Sequence, residues 1–192
     1  MSDWPTGTFG AILADPPWNF QEWSDKGSER SARKHYDTMT FEAIQALPVA
    51  ELAGEDCALF LWITWPTLPE ALVTIEAWGF EYKTCGFCWV KTNPIAGSIA
   101  TGMGYWTRSN TEVVFLATRG KPQRVSKAVR QVVVAPRREH SRKPDEVHDR
   151  IEALVQGPYL ELFGRQERPG WTVWGNEIGK FTPEPRNTSM TL

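Results

Sequence analysis

The chain has 192 residues, of which 41% are hydrophobic and 23% are charged, and its formal net charge is −2. This length suits one well-buried domain, and this charge argues against an indiscriminate nucleic-acid binder. The longest apolar run, residues 57–65, is far too short to span a membrane, and no basic and apolar leader opens the chain. We therefore expect a cytoplasmic protein without membrane contact. Ten Trp residues call for stacking partners or a wide aromatic core.

Runs rich in β-branched and aromatic residues predict seven strands, at 9–14, 58–64, 82–90, 112–117, 131–135, 159–163 and 171–174. Helical periodicity predicts helices at 40–47, 66–78 and 144–155, the last with Pro144 at a first helical position. Near-continuous apolar strands alternating with helices predict an α/β fold, with a mostly parallel sheet covered on both faces.

Three segments depart from this pattern. Residues 19–38 and 92–110 are long loops, which in a compact domain are usually functional or disordered. Residues 182–192 have no apolar pattern, so we expect a mobile tail. The remaining 1–181 are predicted to form a single catalytic domain.

The first predicted strand leads directly into Asp15-Pro16-Pro17-Trp18. The two prolines fix two φ angles and supply no N–H, so the carbonyls of Asp15 and Pro16 become stiff acceptors without a competing N–H beside them. Such a segment can simply end a strand and start a turn. A surface turn rarely needs a Trp, however, because its large apolar area is costly in solvent. A carboxylate beside stiff acceptors suits a planar partner that carries an NH₂ group.

Two loops are expected to converge on one pocket. In an open α/β sheet, ligands bind beyond the carboxyl ends of the strands. Asp15 leaves one such end, and Gly164-Arg165 leaves another after the strand at 159–163. Neither loop contains G-x-G-x-x-G, so we do not predict a dinucleotide pyrophosphate at this edge.

A basic block between residues 119 and 143 has nine Lys or Arg side chains and one acid, Glu139. Such a block either contacts phosphates or forms a solvated face. The basic residues are Arg119, Lys121, Arg124, Lys127, Arg130, Arg137, Arg138, Arg142 and Lys143.

The cysteines and histidines do not predict a metal site. Cys85 and Cys88 have the spacing of half a zinc site, but no second pair accompanies them, so we expect buried thiols, as for Cys57. His140 and His148 lack metal-like spacing, and we expect them to face solvent.

Eight blocks in family order give the chain a resemblance to the MT-A70 family of S-adenosylmethionine-dependent adenine methyltransferases. They are Asp15-Pro16-Pro17-Trp18, His35-Tyr36-Asp37-Thr38-Met39, Phe60-Leu61-Trp62, Trp89-Val90-Lys91-Thr92-Asn93, Gly104-Tyr105-Trp106-Thr107-Arg108 with Glu112 and Arg119-Gly120, Lys143-Pro144-Asp145-Glu146, Glu161-Leu162-Phe163-Gly164-Arg165, and Trp171 with Gly175-Asn176.

The resemblance implies a Rossmann-like methyltransferase fold in permuted order, with the catalytic motif before the cofactor-binding segments. It also implies methyl transfer from S-adenosylmethionine to the exocyclic N6 amine of adenine. The Asp15 side chain and the Pro16 carbonyl would each accept one N–H of that amine, which redirects its lone pair toward the methyl group. The implied catalytic residues are Asp15, Pro16, Pro17 and Trp18.

For the substrate, the resemblance implies an adenine pocket around a single-stranded or flipped nucleotide. The residues expected to bind it are Trp18, Tyr36, Lys91, Arg108 and Glu112 by the resemblance, together with Arg137 and Arg138 from the basic block. Tyr36 could instead pack on its own loop. Arg108 and Glu112, four residues apart, could instead pair with each other.

For the cofactor, the resemblance implies a second set of residues. They are Asp15, Lys143, Glu161, Phe163, Arg165, Asn176 and Glu177. Four of them have a plainer alternative: Lys143 as a helix-start lysine, Glu161 at a strand edge, Arg165 on a surface acid and Asn176 in a turn. A charged side chain inside a strand is costly unless it has a function, and charged side chains are expected beside a ligand cleft. Both points favour the binding roles.

The sequence leaves the polynucleotide open. Ser109 follows Arg108 where the family often has Asn, and we expect no zinc-binding region before the domain. We expect DNA as the substrate of a prokaryotic or phage enzyme, with RNA as the alternative. A catalytically silent nucleic-acid-binding partner subunit is the other alternative, although the intact Asp15-Pro16-Pro17-Trp18 argues against it. Partnered subunits in the family suggest a homodimer or a partner chain.

Overall fold

One seven-stranded sheet forms the centre of the computed structural model, which describes residues 3–19 and 38–181. All seven predicted strands are confirmed, and the second, third and fourth extend beyond their predicted ends because polar residues continue the ladder there. The strands are β1 (Phe9–Ala14), β2 (Ala53–Ile63), β3 (Glu81–Thr92), β4 (Thr111–Arg119), β5 (Val132–Pro136), β6 (Tyr159–Leu162) and β7 (Trp171–Trp174).

The strand order is β5-β3-β4-β2-β1-β6-β7. Strand β4 runs antiparallel to both neighbours, and the other four pairings are parallel. The prediction of a mostly parallel sheet is confirmed. Six strands therefore end at one edge of the sheet, where β4 begins. We call this the carboxyl edge, and it carries the loops that follow Ala14, Ile63, Thr92, Pro136, Leu162 and Trp174.

The sheet is covered on both faces, as predicted. In β1, Ile12 and Ala14 pack into one apolar cluster, and Ala11 and Leu13 pack into the other. The first face is covered by α1 (Phe41–Gln45), α2 (Val49–Leu52) and α3 (Leu68–Ala77), and the second by α4 (Glu146–Leu154). Helix α2, a single turn, was not predicted because four residues are too few to show a helical period.

Caps and indole bonds fix the helices in place. Helix α1 begins after Thr40, whose hydroxyl accepts the N–H of Ala43 at 3.2 Å. The buried Trp78, which follows α3, donates its indole N–H to the Ile44 carbonyl at 3.0 Å and so ties α3 to α1. Helix α4 begins at Glu146, so the prediction of Pro144 at a first helical position is wrong by two residues; Pro144 lies in the turn before the helix.

The loop from 93 to 110 folds back on itself at the carboxyl edge. The N–H of Ala100 donates to the Lys91 carbonyl at 2.7 Å, and the N–H of Asn93 donates to the Ser98 carbonyl at 2.8 Å. Tyr105 and Trp106 stand at its outer end, with Trp106 92% exposed. The other predicted loop, 19–38, and the predicted mobile tail, 182–192, lie almost wholly outside the described residues.

The three cysteines differ in burial. Cys57 is buried as predicted, and burial raises the pKa of its thiol to about 12. Cys85 and Cys88 are only half-buried, so the prediction of core thiols is wrong in degree for these two. Both lie on β3 and pack against the margin of the first apolar cluster. Over 3–19 and 38–181, no helix combines the length and the apolar character needed to cross a bilayer.

Candidate active site

A pocket of about 430 Å³ opens at the carboxyl edge, between the loops that follow β1, β5, β6 and β7. Its volume lies within the range of about 300–1,000 Å³ typical of small-molecule sites. The predicted convergence of the Asp15 and Arg165 loops is confirmed. The lining residues are Asp15, Pro16, Pro17, Thr38, Met39, Ser141, Lys143, Phe163, Arg165, Trp174, Gly175, Asn176 and Glu177.

Backbone hydrogen bonds hold Asp15-Pro16-Pro17 in place. The N–H of Asp15 donates to the Leu162 carbonyl at 3.3 Å, which ties the motif to the end of β6. The N–H of Trp18 donates to the Pro16 carbonyl at 2.8 Å. The expectation that no N–H competes for this carbonyl is therefore wrong, because the chain turns back after the second proline. A carbonyl oxygen has two lone pairs, so Pro16 keeps a second acceptor position.

Trp18 anchors this motif to the core of the protein. Its indole is only 6% exposed, donates to the Trp62 carbonyl at 3.0 Å, and packs on Phe41 with ring centroids 6.0 Å apart. Burial of the ring explains why a turn at this place needs a Trp. Trp18 does not line the pocket, and its contact with a substrate stays a prediction. Tyr36, predicted beside it, lies outside the described residues.

Backbone strain is concentrated at the pocket. Phe163 and Ser141, both lining residues, have φ angles of 65° and 58°, which side chains other than glycine rarely adopt. Such strain persists only where the surrounding structure imposes it, and it clusters at functional sites. Below them the loops after β6 and β7 touch: a Cβ on Gly175 would lie 2.2 Å from the Gly164 carbonyl oxygen. Only glycine allows this contact.

A row of four alternating charges runs from the pocket into the sheet. Lys143 Nζ lies 2.7 Å from Asp15 Oδ2 and 3.4 Å from Glu112 Oε2, and Lys91 Nζ lies 2.5 Å from Glu112 Oε1. Glu112 thus pairs with two lysines, and the alternative of a Glu112–Arg108 pair is wrong. Arg108 itself is exposed in the loop before β4.

The two carboxylates of this row have pKa values shifted in opposite directions. Burial raises the pKa of Asp15 above its ordinary value, although the Lys143 ammonium opposes the shift. Burial acts in the same way on Glu112, but Lys143 and Lys91 together outweigh it and lower the pKa of Glu112. Lys143 therefore stabilises both carboxylates in their ionised form.

Most of the predicted cofactor residues line the pocket, with one exception. Lys143, Phe163, Arg165, Asn176 and Glu177 are lining residues together with Asp15. Glu161 is the exception, because its side chain lies beneath Gly164 and faces α4.

The Glu161 carboxylate contacts His148, a residue that we expected to face solvent. His148 Nε2 lies 3.0 Å from Glu161 Oε2, and its ring packs against Trp171. The solvent-facing prediction for His148 is wrong, because α4 turns this residue toward the sheet. Its position three residues before the buried Ile151 is the helical signal that could have revealed this. The side chain of His140 lies outside the described part of the structure.

The basic block is divided between two edges of the sheet. Arg137 is exposed at the carboxyl edge, where its guanidinium donates to Asn93 Oδ1 at 3.0 Å. Arg138 is bidentate on Asp145, with both bonds at 3.1 Å, and so shapes the turn before α4. Lys121, whose N–H donates to Asp56, lies at the opposite edge. The block therefore does not form one continuous face, and contact of Arg137 and Arg138 with a substrate stays a prediction.

Ser141 and Trp174 line the pocket without having been predicted. Trp174 ends β7 at the carboxyl edge, and that position was a usable signal. The left-handed backbone at Ser141 had no sequence signal, since serine does not favour it.

Comparison with known proteins identifies the family. The MT-A70 family model matches residues 9–177. The chain is 34% identical to the Type II methyltransferase M.MunI of Mycoplasma sp, over 91% of this chain and 79% of that protein. It is 32% identical to the human N(6)-adenosine-methyltransferase catalytic subunit METTL3 and to the Arabidopsis thaliana N(6)-adenosine-methyltransferase MT-A70-like protein. Each match covers 90% of this chain but only 28% and 24% of those proteins. With its Rossmann-like methyltransferase fold, the chain belongs to the MT-A70 family.

Proposed function

We propose that the protein transfers a methyl group from S-adenosylmethionine to the exocyclic N6 amine of adenine in DNA. The observation that carries this proposal is that Asp15 and Pro16, which offer a carboxylate and a carbonyl as acceptors, both line the pocket. Two acceptors on adjacent residues, held by a proline-fixed backbone, match the two N–H groups of one planar amine.

The pocket has the side chains that S-adenosylmethionine requires. Lys143 and Arg165 provide positive charge for a carboxylate, and Asn176 and Glu177 provide polar groups for hydroxyls. Phe163 and Trp174 provide apolar surface for a ring. When bound, the cofactor supplies an electrophilic methyl group.

The chain's own residues act on the amine. The lone pair of the exocyclic nitrogen is delocalised into the adenine ring, so the amine is a poor nucleophile. Hydrogen bonds from its two N–H groups to the Asp15 carboxylate and the Pro16 carbonyl favour a pyramidal nitrogen. They also stabilise the positive charge that develops on attack, which disappears when the amine releases one N–H proton to Asp15 or to water. Lys143, 2.7 Å from Asp15, favours the ionised carboxylate that this role needs.

The choice of polynucleotide rests on the relative that matches over most of its own length. The match covers 79% of the Type II methyltransferase but 24% and 28% of the two N(6)-adenosine relatives. We take the former as the better guide and propose DNA first and RNA second. The intact Asp15 and its lysine partner argue against a catalytically silent subunit. A homodimer or partner chain stays a prediction.

The substrate class is tested with S-adenosylmethionine labelled on its methyl group. The protein is incubated with single-stranded DNA, duplex DNA and RNA of one sequence, and incorporation into each is measured. DNA methylation faster than RNA methylation supports the proposal. Incorporation into RNA alone supports the alternative, and incorporation into none contradicts both.

The pH dependence of methyl transfer should reflect the raised pKa of Asp15. Only the ionised carboxylate balances the positive charge that develops on the amine, so activity falls as the pH drops through that pKa. We expect the acid limb of the pH–rate profile above the ordinary range of an aspartate. Lys143→Met removes the ammonium group that lowers the pKa of Asp15. The acid limb of the pH–rate profile should therefore move to still higher pH in this variant. A limb that stays in place or moves to lower pH contradicts this electrostatic role.

Charge reversal at the carboxyl edge should weaken polynucleotide binding. Arg137→Glu removes an exposed positive charge beside the pocket loops. We expect weaker binding and a smaller slope of log affinity against log salt, by roughly one phosphate contact or more. Lys121→Glu, at the opposite edge, is the matched control and should leave the slope unchanged. Equal effects of both variants would show that the whole basic block acts only through net charge.

A further inference from the structure

The described part of the chain after β7, residues 175–181, begins at the wall of the pocket, and we call it the C-terminal strap. Its first three residues, Gly175, Asn176 and Glu177, line the pocket. Its last residue, Phe181, is half-buried outside the pocket. The strap therefore lines the pocket at its start and lies outside the pocket at Phe181, where it contacts other loops.

Phe181 makes cation–π contacts with two arginines from two other loops, and these contacts hold the strap in place. The guanidinium carbons of Arg142 and Arg165 each lie 5.1 Å from the centroid of its ring. Arg142 follows β5, and Arg165 follows β6. The N–H of Phe181 also donates to the Arg165 carbonyl at 3.4 Å. One aromatic ring therefore joins three of the loops that form the pocket.

Of these two arginines, Arg165 is a lining residue. Glu177 Oε2 lies 3.9 Å from Arg165 Nη1, and Lys180 pairs with Glu177 in turn. The ring and the carboxylate together restrict a long side chain that would otherwise sample many rotamers. Ordering such a side chain before the ligand arrives reduces the entropy lost on binding.

We propose that Phe181 is a positioning residue for the cofactor: its ring holds the Arg165 side chain, and with it the strap, at the wall of the pocket. This proposal rests on the proposed function, since it concerns the binding of S-adenosylmethionine at the same site. Phe181 acts through the guanidinium and touches neither the reacting amine nor the methyl group.

The test measures the affinity of S-adenosylmethionine for the purified full chain by isothermal titration calorimetry. Phe181→Leu keeps apolar bulk but removes the π face, and Phe181→Trp keeps a π face. We expect about tenfold weaker binding for the Leu variant, as loss of a partly buried cation–π contact implies. The Trp variant should bind within about twofold of the wild type. Circular dichroism checks that each variant is folded.

Tyr82→Leu is the matched control, because Tyr82 is a partly exposed aromatic residue near the start of β3, at the opposite edge. It should leave cofactor affinity unchanged. In steady-state assays, Phe181→Leu should raise KM for the cofactor while changing kcat and KM for the polynucleotide little. A merely structural role would instead lower active enzyme and kcat without this selective change.

The outcomes separate the two proposals. If the wild type does not bind S-adenosylmethionine, the proposed function fails and this inference fails with it. If the wild type binds and Phe181→Leu binds equally well, only the positioning role is overturned. Equal weakening by the Leu and Trp variants also overturns it, because the effect would then not depend on the π face.

Discussion

Replacing Asp15 by Asn is expected to reduce methyl transfer by about 100-fold or more, measured as kcat with labelled cofactor. Loss of one preorganised polar contact to a developing charge has an effect of about 10²–10³ in other enzymes. The amide is neutral and cannot balance the positive charge on the attacking nitrogen. It also leaves Lys143, now 2.7 Å from the carboxylate, without that anion.

The fold should survive this change. Asp15 is partly exposed, its side chain being 26% accessible, and Asn has nearly the same shape. The thermal unfolding midpoint should therefore stay close to that of the wild type. Glu76→Gln, which neutralises an exposed carboxylate on α3, is the control and should retain full activity. Turnover of Asp15→Asn at the wild-type rate would remove the carboxylate from the reaction.

Replacing Trp18 by Ala is expected to destabilise the protein by about 3–5 kcal/mol, the usual cost of deleting a large core aromatic. The indole is buried, and its N–H bond to the Trp62 carbonyl would be lost as well. Urea denaturation followed by circular dichroism gives the free energy of unfolding. Trp18→Phe keeps an aromatic ring in the core, so its free energy of unfolding should fall clearly less than that of Trp18→Ala.

The control for this change is another Trp. Trp106→Ala removes the same side chain from a 92% exposed site, and the free energy of unfolding should change by no more than about 0.5 kcal/mol. Similar losses for the two variants would contradict the anchoring role of Trp18. Because Trp18 follows Pro17 directly, its loss should also reduce activity at temperatures where the variant is still folded.

The sheet could be predicted because its signal is local. In β1, Phe9–Ala14, apolar residues on consecutive positions indicate burial on both faces, and the structure has that burial. The position of Asp15 at a strand end followed from the same pattern. Given a parallel sheet, the convergence of Asp15 with Arg165 required only the rule that ligands bind at the carboxyl ends.

The rest depended on contacts between distant parts of the chain. A Glu112–Arg108 pair was an open alternative because the two residues are near in sequence. The partners of Glu112 are instead Lys91, from β3, and Lys143, from the turn before α4. The pairing of His148 with Glu161 likewise requires α4 to lie on β6. The strained backbone at Phe163 follows from the packing of two loops, which no local pattern records.

The most direct measurement is the identity of the methylated nucleoside. DNA incubated with the protein and S-adenosylmethionine is digested to nucleosides and analysed by mass spectrometry, with Asp15→Asn protein run in parallel. The acceptor pair at Asp15 and Pro16 predicts methyl groups on the N6 amine of adenine for the wild type and almost none for the variant. Methyl groups on cytosine, or equal amounts on adenine from both proteins, would contradict it.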